Sequence, residues 1–249
     1  MKTTLITGGN KGIGLALAKV LGQQGWQVVV GVRNNVKGEN AIAELASAGI
    51  QHADFVVIDL SKPETIDLTS RTMKQKYPDF SLLINNAGIS GKMDFSLEEP
   101  ESDLRQTMEV NFFGTFQLTQ SLLPILRING GRVINVTIPT AANPLWNPLA
   151  YKASKAAQNV MMESMAIDLN KIGQPVSIFS IHPGPTTTDL NGNVKMPGFH
   201  STEKVATKMA AVINDGKSHN GEMIEIYREL KAPKMLEPLI SWIQRKRNK

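Results

Sequence analysis

Short apolar runs rich in branched residues alternate along the chain with longer stretches of helical period. The runs predict seven β-strands, at residues 3–7, 27–32, 54–58, 82–85, 132–137, 176–182 and 223–226. The stretches between them predict six helices, at residues 12–24, 37–48, 63–76, 101–127, 150–171 and 202–215. Strand and helix units in alternation fold around a parallel sheet. Continuous apolar runs such as Val28-Val29-Val30 are typical of strands buried on both faces, so we expect helices on both sides of the sheet.

We therefore expect an α/β fold, a Rossmann-type doubly wound domain with a seven-stranded, mainly parallel sheet. No repeat, low-complexity segment or long linker divides the 249 residues, so we predict one domain spanning residues 1–249. The least regular segments are residues 138–149 and 184–200, which each follow a strand. Ligands of open parallel sheets bind beyond the carboxyl ends of strands, so we interpret residues 184–200 as a substrate loop.

Composition narrows the kinds of site that this chain can build. The sequence has no cysteine, which excludes disulfides and thiolate catalysis, and no pair among its four histidines has metal-binding spacing, so we expect no metal. No apolar run approaches the roughly 20 residues that cross a bilayer, so we expect no stable membrane insertion and a cytoplasmic location.

The net charge of +5 owes much to a basic C-terminal tail at about residues 230–249. We interpret this tail as solvated and expect no nucleic-acid partner. A weak contact with a membrane surface stays open, because an apolar segment precedes the last basic residues and has the spacing of an amphipathic anchor. This segment contains Leu236, Leu239, Ile240, Trp242 and Ile243.

A glycine-rich turn follows the first predicted strand and opens the first predicted helix. At such a turn, main-chain N–H groups and the helix dipole attract phosphate, and glycine lets the backbone approach a pyrophosphate closely. The placement in a strand-helix-strand unit predicts a dinucleotide site. The candidate loop residues are Gly8, Asn10, Lys11, Gly12, Ile13 and Gly14.

The end of the second predicted strand indicates which dinucleotide binds. An acidic residue there would accept a hydrogen bond from the ribose 2′-hydroxyl of NAD, but this chain has Arg33. A guanidinium pairs well with a 2′-phosphate, and Lys11 adds a second positive charge nearby. The sequence therefore predicts NADP(H) as the cofactor.

Tyr151 and Lys155 are spaced i, i+4 at the start of a predicted helix, so their side chains share one face. A tyrosine has an ordinary pKa of about 10, and an adjacent ammonium lowers it toward the range useful for proton transfer. The pair alone could arise by chance on a surface helix, but it occurs together with the glycine loop and further motifs.

Taken together, these motifs resemble the short-chain dehydrogenases/reductases over nearly the whole chain. Residues 7–14 match the TGxxxGxG loop of that family, residues 85–88 its NNAG motif and residues 151–155 its YxxxK motif. Asn111 matches the active-site asparagine, Asp59-Leu60 the adenine-contacting pair, and Pro183-Gly184 with Thr188 the nicotinamide-cradling PG motif. Residues 148–155 and 188–191 look most like carbonyl-reductase-type members.

The resemblance implies a role for each matching residue. Tyr151 would be the general acid that protonates a carbonyl oxygen as hydride arrives, and the base in the reverse direction. Lys155 would hold the ribose and lower the tyrosine pKa, and Asn111 would keep an ordered water connected to Lys155, although Asn111 could also be a helix-bending or capping residue. The further implied cofactor contacts are Asp59, Leu60, Asn86, Ala87, Gly88, Pro183, Gly184, Thr186 and Thr188.

The pattern breaks where the family places a serine that hydrogen-bonds the substrate oxygen. Here that position is Ile138, which has no donor. Thr137 or Thr140 could supply the missing hydroxyl: Thr137 points to the opposite face of a strand, while Thr140 has the parity of Ile138 but follows a proline. Loss of such a donor costs a factor of roughly 100 to 1,000 in turnover.

Three functions fit this reading. The first is an NADPH-dependent carbonyl reductase or alcohol dehydrogenase for a small apolar substrate. The second, motivated by Ile138, is a non-catalytic NADP(H)-binding sensor or partner-binding protein, and the third is a membrane-peripheral protein. The candidate pocket walls, whose apolar side chains would equally suit ordinary loop packing, are Met93, Leu145, Trp146, Met196 and Phe199. Homo-oligomerisation through residues 112–126 and 154–169 stays open, because their apolar side chains would equally suit packing against the sheet.

Overall fold

The computed structural model describes residues 1–92, 96–141 and 148–227. Its strands are β1 (Thr3–Thr7), β2 (Gln27–Val32), β3 (Ala53–Val57), β4 (Phe80–Asn85), β5 (Arg132–Val136), β6 (Ser177–His182) and β7 (Met223–Glu225). Its α-helices are α1 (Gly12–Gln23), α2 (Asn35–Ser47), α3 (Pro63–Lys76), α4 (Glu101–Met108), α5 (Gly114–Ile128), α6 (Leu149–Lys171) and α7 (Thr202–Ile213). A π-helical turn, Glu109–Phe113, joins α4 to α5, and a 3₁₀ turn, Asp189–Asn191, follows β6.

The strands form one sheet in the order β3-β2-β1-β4-β5-β6-β7. Every neighbouring pair of these strands is parallel. The expected α/β fold is therefore confirmed. The order of the strands reverses between β1 and β4, so the loops that leave these two strands diverge to opposite sides and open a crevice at the carboxyl edge.

Helices cover both faces of the sheet because alternate side chains of each strand enter different cores. In β1, Ile6 faces the first core, which is built with α1, α2 and α7, whereas Leu5 faces the second core, which is built with α3, α5 and α6. Both side chains are fully buried. The pairs Val28/Val29 in β2 and Leu82/Leu83 in β4 divide in the same way. This two-sided burial accounts for the uninterrupted apolar runs of the sequence.

The prediction of one helix over residues 101–127 is wrong in one respect: the π turn divides this stretch into α4 and α5. Its chain direction continues through the π turn, since Met108 and Gly114 on either side both keep right-handed helical angles. A π turn widens the helix by one residue per turn, and such turns often lie at functional sites. The apolar period of the sequence does not reveal it. Asn111 lies in this turn and is fully buried.

None of the helices within the described ranges is long and apolar enough to cross a membrane. In the same part of the chain, no three histidine, aspartate or glutamate side chains gather in a group that could hold a metal ion. The proposed amphipathic segment and the basic tail, at about residues 230–249, lie outside the described residues, as do Met93, Leu145 and Trp146.

Gly114 gives a test of the packing around the π turn. A Cβ at this position would overlap the carbonyl oxygen of Leu60, whose side chain is buried in the second core. We expect Gly114→Ala to lower the free energy of unfolding by about 3 kcal/mol, because neither main chain can move without disturbing the core. Urea denaturation measures the change.

The matched control is Gln120→Ala, an exposed position on the same helix. We expect it to change the free energy of unfolding by no more than about 0.5 kcal/mol. Equal stability of the two variants would contradict the close packing of Gly114 against Leu60.

Candidate active site and cofactor cleft

The glycine loop lies at the switch point, between the end of β1 and the start of α1. Gly8 and Gly12 adopt left-handed angles, with φ of 65° and 56°. A Cβ on Gly14 would lie 2.5 Å from the carbonyl oxygen of Gly8, so this turn closes only with glycine. A Cβ on Gly12, by contrast, would meet only Thr188 Cγ2, at 3.8 Å, among the described neighbours.

The first turn of α1 has the chemistry that suits an anion. Lys11, the N-cap residue, is extended and makes no side-chain cap, and the first turn contains no acidic residue. Asn10 is half-buried in the turn that precedes Lys11, and Ile13 packs against the first core. The loop therefore offers a main chain that a ligand can approach closely, a helix N-terminus, and no carboxylate in that turn to compete for it. This combination fits the pyrophosphate of a dinucleotide.

The loop after β4 is tied directly to the loop after β1. The Thr7 hydroxyl accepts hydrogen bonds from the main-chain N–H groups of Asn86 and Ala87, both at 3.0 Å. Asn86 Nδ2 donates in return to the carbonyl oxygens of Thr7, at 2.9 Å, and Gly8, at 3.3 Å. These bonds fix the spacing of the two walls of the crevice.

Asp59 and Leu60 lie beyond the carboxyl end of β3. Burial alone would raise the pKa of Asp59, but hydrogen bonds from Ser61 and the charges of Lys62 and Arg33 hold it below its ordinary value. Asp59 therefore stays ionised. Leu60 is buried in the second core.

The two predicted phosphate-binding cations have different surroundings. Arg33 directly follows β2 and is exposed. Lys11 forms an ion pair with Asp189, with 2.9 Å between Lys11 Nζ and Asp189 Oδ2, and both side chains are more than half exposed. The hydrogen bond from Lys11 holds the pKa of Asp189 below its usual range. This pair connects the glycine loop to the loop after β6, a contact that sequence reasoning missed.

Tyr151 and Lys155 lie in the first two turns of α6, and both are buried. Lys155 Nζ lies 5.6 Å from the centre of the Tyr151 ring. It donates to the carbonyl oxygen of Val136, at the end of β5, and to Gln158 Oε1, both at 2.9 Å. Burial lowers the pKa of Lys155 to about 7 and raises that of Tyr151, which is opposite to the lowering expected from the sequence.

Asn111 joins this cluster from the π turn. Its side chain pairs with the main chain of Ile89, accepting from the N–H and donating to the carbonyl oxygen, both at 2.8 Å. Asn111 Nδ2 also donates to Ser154 Oγ at 2.9 Å. A Cβ on Gly88 would lie 3.1 Å from Asn111 Oδ1 and 3.8 Å from Lys155 Nζ, so the loop after β4 reaches the same place.

The main-chain carbonyl of Asn111 has a separate partner. Gln158 Nε2 donates to it at 2.6 Å, while Gln158 Oε1 accepts from Lys155. Gln158 is thus the direct link between Asn111 and Lys155. Sequence reasoning missed this residue because it belongs to none of the motifs. The available signal was an amide side chain three residues after Lys155, on the same face of the helix.

Residues 137, 138 and 140, around the position where the family has a serine, differ in burial and in their contacts. Ile138 is buried, and its carbonyl oxygen accepts a hydrogen bond from Asn159 Nδ2 at 3.0 Å. The Thr137 hydroxyl is buried and points to the carbonyl oxygen of Lys155, at 3.4 Å. Thr140 is exposed, in the irregular segment that follows β5.

Lys152, which sequence reasoning did not single out, is buried and donates to the carbonyl oxygen of Ala141 in the same segment.

The loop after β6 begins at Pro183 and folds back toward α7. Gly184 adopts a φ of 77°, and its carbonyl oxygen accepts from the Thr186 hydroxyl at 2.9 Å. Thr188 caps the 3₁₀ turn through a reciprocal pair of hydrogen bonds with Asn191.

A cavity of about 310 Å³ lies between this loop and the start of α7. Met196 and Phe199, two of the expected pocket walls, line it. The described residues that line it include neither Tyr151 nor Lys155. The structure therefore brings Tyr151, Lys155, Asn111 and Gly88 together and leaves Met196 and Phe199 in a neighbouring recess.

Comparisons with known proteins agree with this arrangement. A sequence model of the short chain dehydrogenase family matches residues 2–197. Human 17-beta-hydroxysteroid dehydrogenase type 2 is 34% identical over 193 residues, covering 77% of this chain and 49% of the human protein. The short-chain dehydrogenase anuI of Penicillium roqueforti is 30% identical over 228 residues, covering 85% of this chain and 88% of the fungal protein. The chain thus spans about half the length of some curated relatives, including the human enzyme.

The fold has close counterparts among solved structures. The alcohol dehydrogenase of the archaeon Thermococcus sibiricus, solved in complex with 5-hydroxy-NADP, superposes with a TM-score of 0.82. It is 23% identical, and the match covers 94% of this chain and 99% of the archaeal one. The family match over residues 2–197, together with the motif residues gathered at the carboxyl edge of the sheet, shows that this chain belongs to the short-chain dehydrogenase/reductase family.

Proposed function

We propose that this protein is an NADP(H)-dependent oxidoreductase that transfers hydride between the nicotinamide and a carbonyl or alcohol carbon. The observation that carries the proposal is the buried pair of Tyr151 and Lys155 beside the loop that follows β4. A phenol and an ammonium at this edge of the sheet serve proton exchange with a substrate oxygen. The family of the chain supports the same chemistry.

The cofactor site is proposed from its charge and shape. The glycine loop and the start of α1 would hold the pyrophosphate, and Arg33 would pair with the 2′-phosphate, because a guanidinium binds phosphate through two parallel hydrogen bonds. Asp59 and Leu60 would contact the adenine, and the segments containing Asn86 to Gly88 and Pro183 to Thr188 would line the remaining cleft. When bound, the reduced cofactor would supply the hydride.

Within this proposal, Tyr151 holds the proton that a carbonyl oxygen receives. Burial raises the pKa of Tyr151, so the tyrosine keeps its proton at neutral pH but is a weaker acid than a free phenol. In its charged form, Lys155 favours the phenolate and so eases departure of that proton. The carbonyl oxygen of Val136 and the amide oxygen of Gln158 favour the charged lysine against the burial that lowers its pKa to about 7.

In the proposed site, a threonine hydroxyl would take the place of the usual serine. The Thr137 hydroxyl already faces the carbonyl of Lys155, which leaves exposed Thr140 as the better candidate to replace the usual serine. The alternative function, an NADP(H)-binding sensor, rests on Ile138 alone. Buried Tyr151 and Lys155 favour catalysis over that alternative, since an ammonium without a chemical role would be expensive to bury.

The substrate is proposed to be a small apolar carbonyl compound or the corresponding alcohol. Met196 and Phe199 contribute apolar surface to the recess on the loop after β6. The relatives whose names specify hydroxysteroids are consistent with an apolar substrate of this class. A cytoplasmic location and association of the chain into homo-oligomers are part of the same hypothesis.

Replacement of Tyr151 by phenylalanine tests the catalytic proposal. Tyr151→Phe keeps the ring but removes the proton donor, so we expect NADPH oxidation with a panel of apolar carbonyl compounds to fall by a factor of about 100 or more. The assay follows the loss of nicotinamide absorbance.

The matched control is Tyr77→Phe, which removes a hydroxyl that donates to Asp54 in the edge strand β3. We expect this variant to keep its activity within about twofold. Unchanged turnover in Tyr151→Phe would disprove the assigned role.

Tight NADPH binding by a wild-type protein that turns over none of the carbonyl compounds would favour the alternative function, an NADP(H)-binding sensor.

Arg33→Ala tests the choice of cofactor. Loss of the guanidinium should weaken NADPH binding by a factor of about 10 to 100, as expected for a hydrogen-bonded charge pair, and should leave NADH binding unchanged. Fluorescence titration of each nucleotide measures both constants. Arg71→Ala, which removes an exposed arginine from α3, is the control. An equal loss for NADPH and NADH would show that Arg33 does not select the 2′-phosphate.

Asp189→Asn tests whether Lys11 also contributes to NADPH selection. Asp189 pairs with Lys11 and so competes with a 2′-phosphate for the same ammonium. We expect the variant to bind NADPH about threefold more tightly at low salt, with a smaller gain at high salt, because both charges are exposed. Asp168→Asn, which breaks an exposed ion pair with Lys171 on α6, is the control. Weaker NADPH binding in Asp189→Asn would mean that the ion pair serves to hold the loop instead.

A further inference from the structure

Gln158 is fully buried and uses both ends of its amide within the Lys155 cluster. Its Oε1 accepts from Lys155 Nζ at 2.9 Å, and its Nε2 donates to the carbonyl oxygen of Asn111 at 2.6 Å. These partners fix the orientation of the amide. The reversed amide would set N–H groups against an ammonium and an oxygen against a carbonyl.

The position of Gln158 is held from both sides. Asn111 belongs to the π turn, and its own side chain is fastened to Ile89 and Ser154. Lys155 is held at the other end by the carbonyl of Val136. A continuous series of hydrogen bonds therefore runs from the loop after β4, through the π turn and Gln158, to the ammonium and the end of β5.

An amide in this place differs physically from a water molecule. Water can accept and donate at the same atom and can pass a proton along a chain, whereas a side-chain amide presents one fixed acceptor and one fixed pair of donors. The amide of Gln158 thus holds Lys155 in position without acting as a proton carrier. Its oxygen also favours the charged form of the lysine.

We propose that Gln158 is a positioning residue for the reaction, which sets the place and the charge of Lys155 by bridging it to the main chain of the π turn. This inference rests on the proposed function, because it acts through Lys155 on Tyr151. The ammonium has three N–H donors, and Val136 and Gln158 use two of them. Among the described residues, these two are the hydrogen-bond acceptors of Lys155, so its third N–H can serve a ligand.

The surroundings of Lys155 make its titration sensitive to Gln158. Tyr151 is the titratable group that faces it from its own helix. The groups that face it from β5, from Gln158 and from Gly88 are uncharged main-chain or amide groups. Burial lowers the pKa of Lys155 to about 7, so its titration should stand apart from those of exposed lysines, whose pKa is about 10.4.

The test compares Gln158→Met, which removes the acceptor at similar side-chain length, with Gln158→Glu, which keeps an acceptor oxygen. The full-length, cofactor-free protein is prepared with ¹³C-labelled lysine, and the Nζ titration of Lys155 is followed by NMR and assigned with Lys155→Met. We expect the midpoint to fall by about one pH unit in Gln158→Met and to rise in Gln158→Glu, where a carboxylate stabilises the ammonium.

Met162→Leu is the matched control, because it changes a fully buried, apolar side chain one turn further along α6. It should leave the Lys155 midpoint unchanged. An unchanged midpoint in folded Gln158→Met, or no rise in Gln158→Glu, would overturn the inference. If Gln158→Met fails to fold, the result from Gln158→Glu decides.

The same variants are then assayed for carbonyl reduction across pH. We expect kcat/KM of Gln158→Met to fall about tenfold near neutral pH, with partial recovery in Gln158→Glu and none of these changes in Met162→Leu. The NMR titration needs neither cofactor nor substrate. If the Lys155 midpoint shifts in the Gln158 variants but the protein turns over no carbonyl compound, Gln158 does control Lys155, and only the proposed function is refuted.

Discussion

The reversal of strand order between β1 and β4 is the constraint on which the rest of the site depends. It separates the loops that leave these strands, and the Thr7 hydroxyl then ties them at a fixed spacing through the N–H groups of Asn86 and Ala87. The glycine loop forms one wall of the resulting crevice. The segment that reaches Asn111 and Lys155 forms the other, so the proposed cofactor cleft and the proposed proton-transfer cluster share one anchor.

The π turn extends this anchor to α6. A regular α-helix from residue 101 onward would use the carbonyl of Asn111 within its own ladder of hydrogen bonds. In the π turn, this carbonyl accepts from Gln158, and the Asn111 side chain pairs with the main chain of Ile89. The departure from α-helical geometry is therefore what connects the helix between β4 and β5 to the buried ammonium.

The fold could be predicted from the sequence because two-sided burial leaves a direct mark on it. Apolar runs such as Val28 to Val30 identify strands covered on both faces, and the intervening helical periods require parallel connections. The π turn escaped prediction because it keeps right-handed helical angles and adds only one residue to a turn. One extra residue in a single turn hardly alters the spacing of the apolar residues, so the amphipathic pattern does not reveal it.

The site could be predicted only where a residue belongs to a local motif. Gly8, Gly12 and Gly14 are required by backbone geometry, and Tyr151 and Lys155 share a helix face, so short spacing identifies them. Lys11 with Asp189, and Asn111 with Gln158, are pairs separated by 178 and 47 residues. Their contacts arise from the topology of the sheet, and no local pattern encodes them.

The cluster of Lys155 and Asn111 and the proposed donor to the substrate oxygen depend on residue 138 to different degrees. Lys155 is held by main-chain carbonyl and amide groups from β5 and α6, and Asn111 by the loop after β4, none of which requires a hydroxyl at position 138. Isoleucine at that position thus leaves these contacts of Lys155 and Asn111 intact, and in the proposed reaction it would remove only a donor to the substrate oxygen. With Thr137 turned toward α6, polarisation of a bound carbonyl would fall in the proposed reaction to Tyr151 and to Thr140, the remaining candidate for the missing donor.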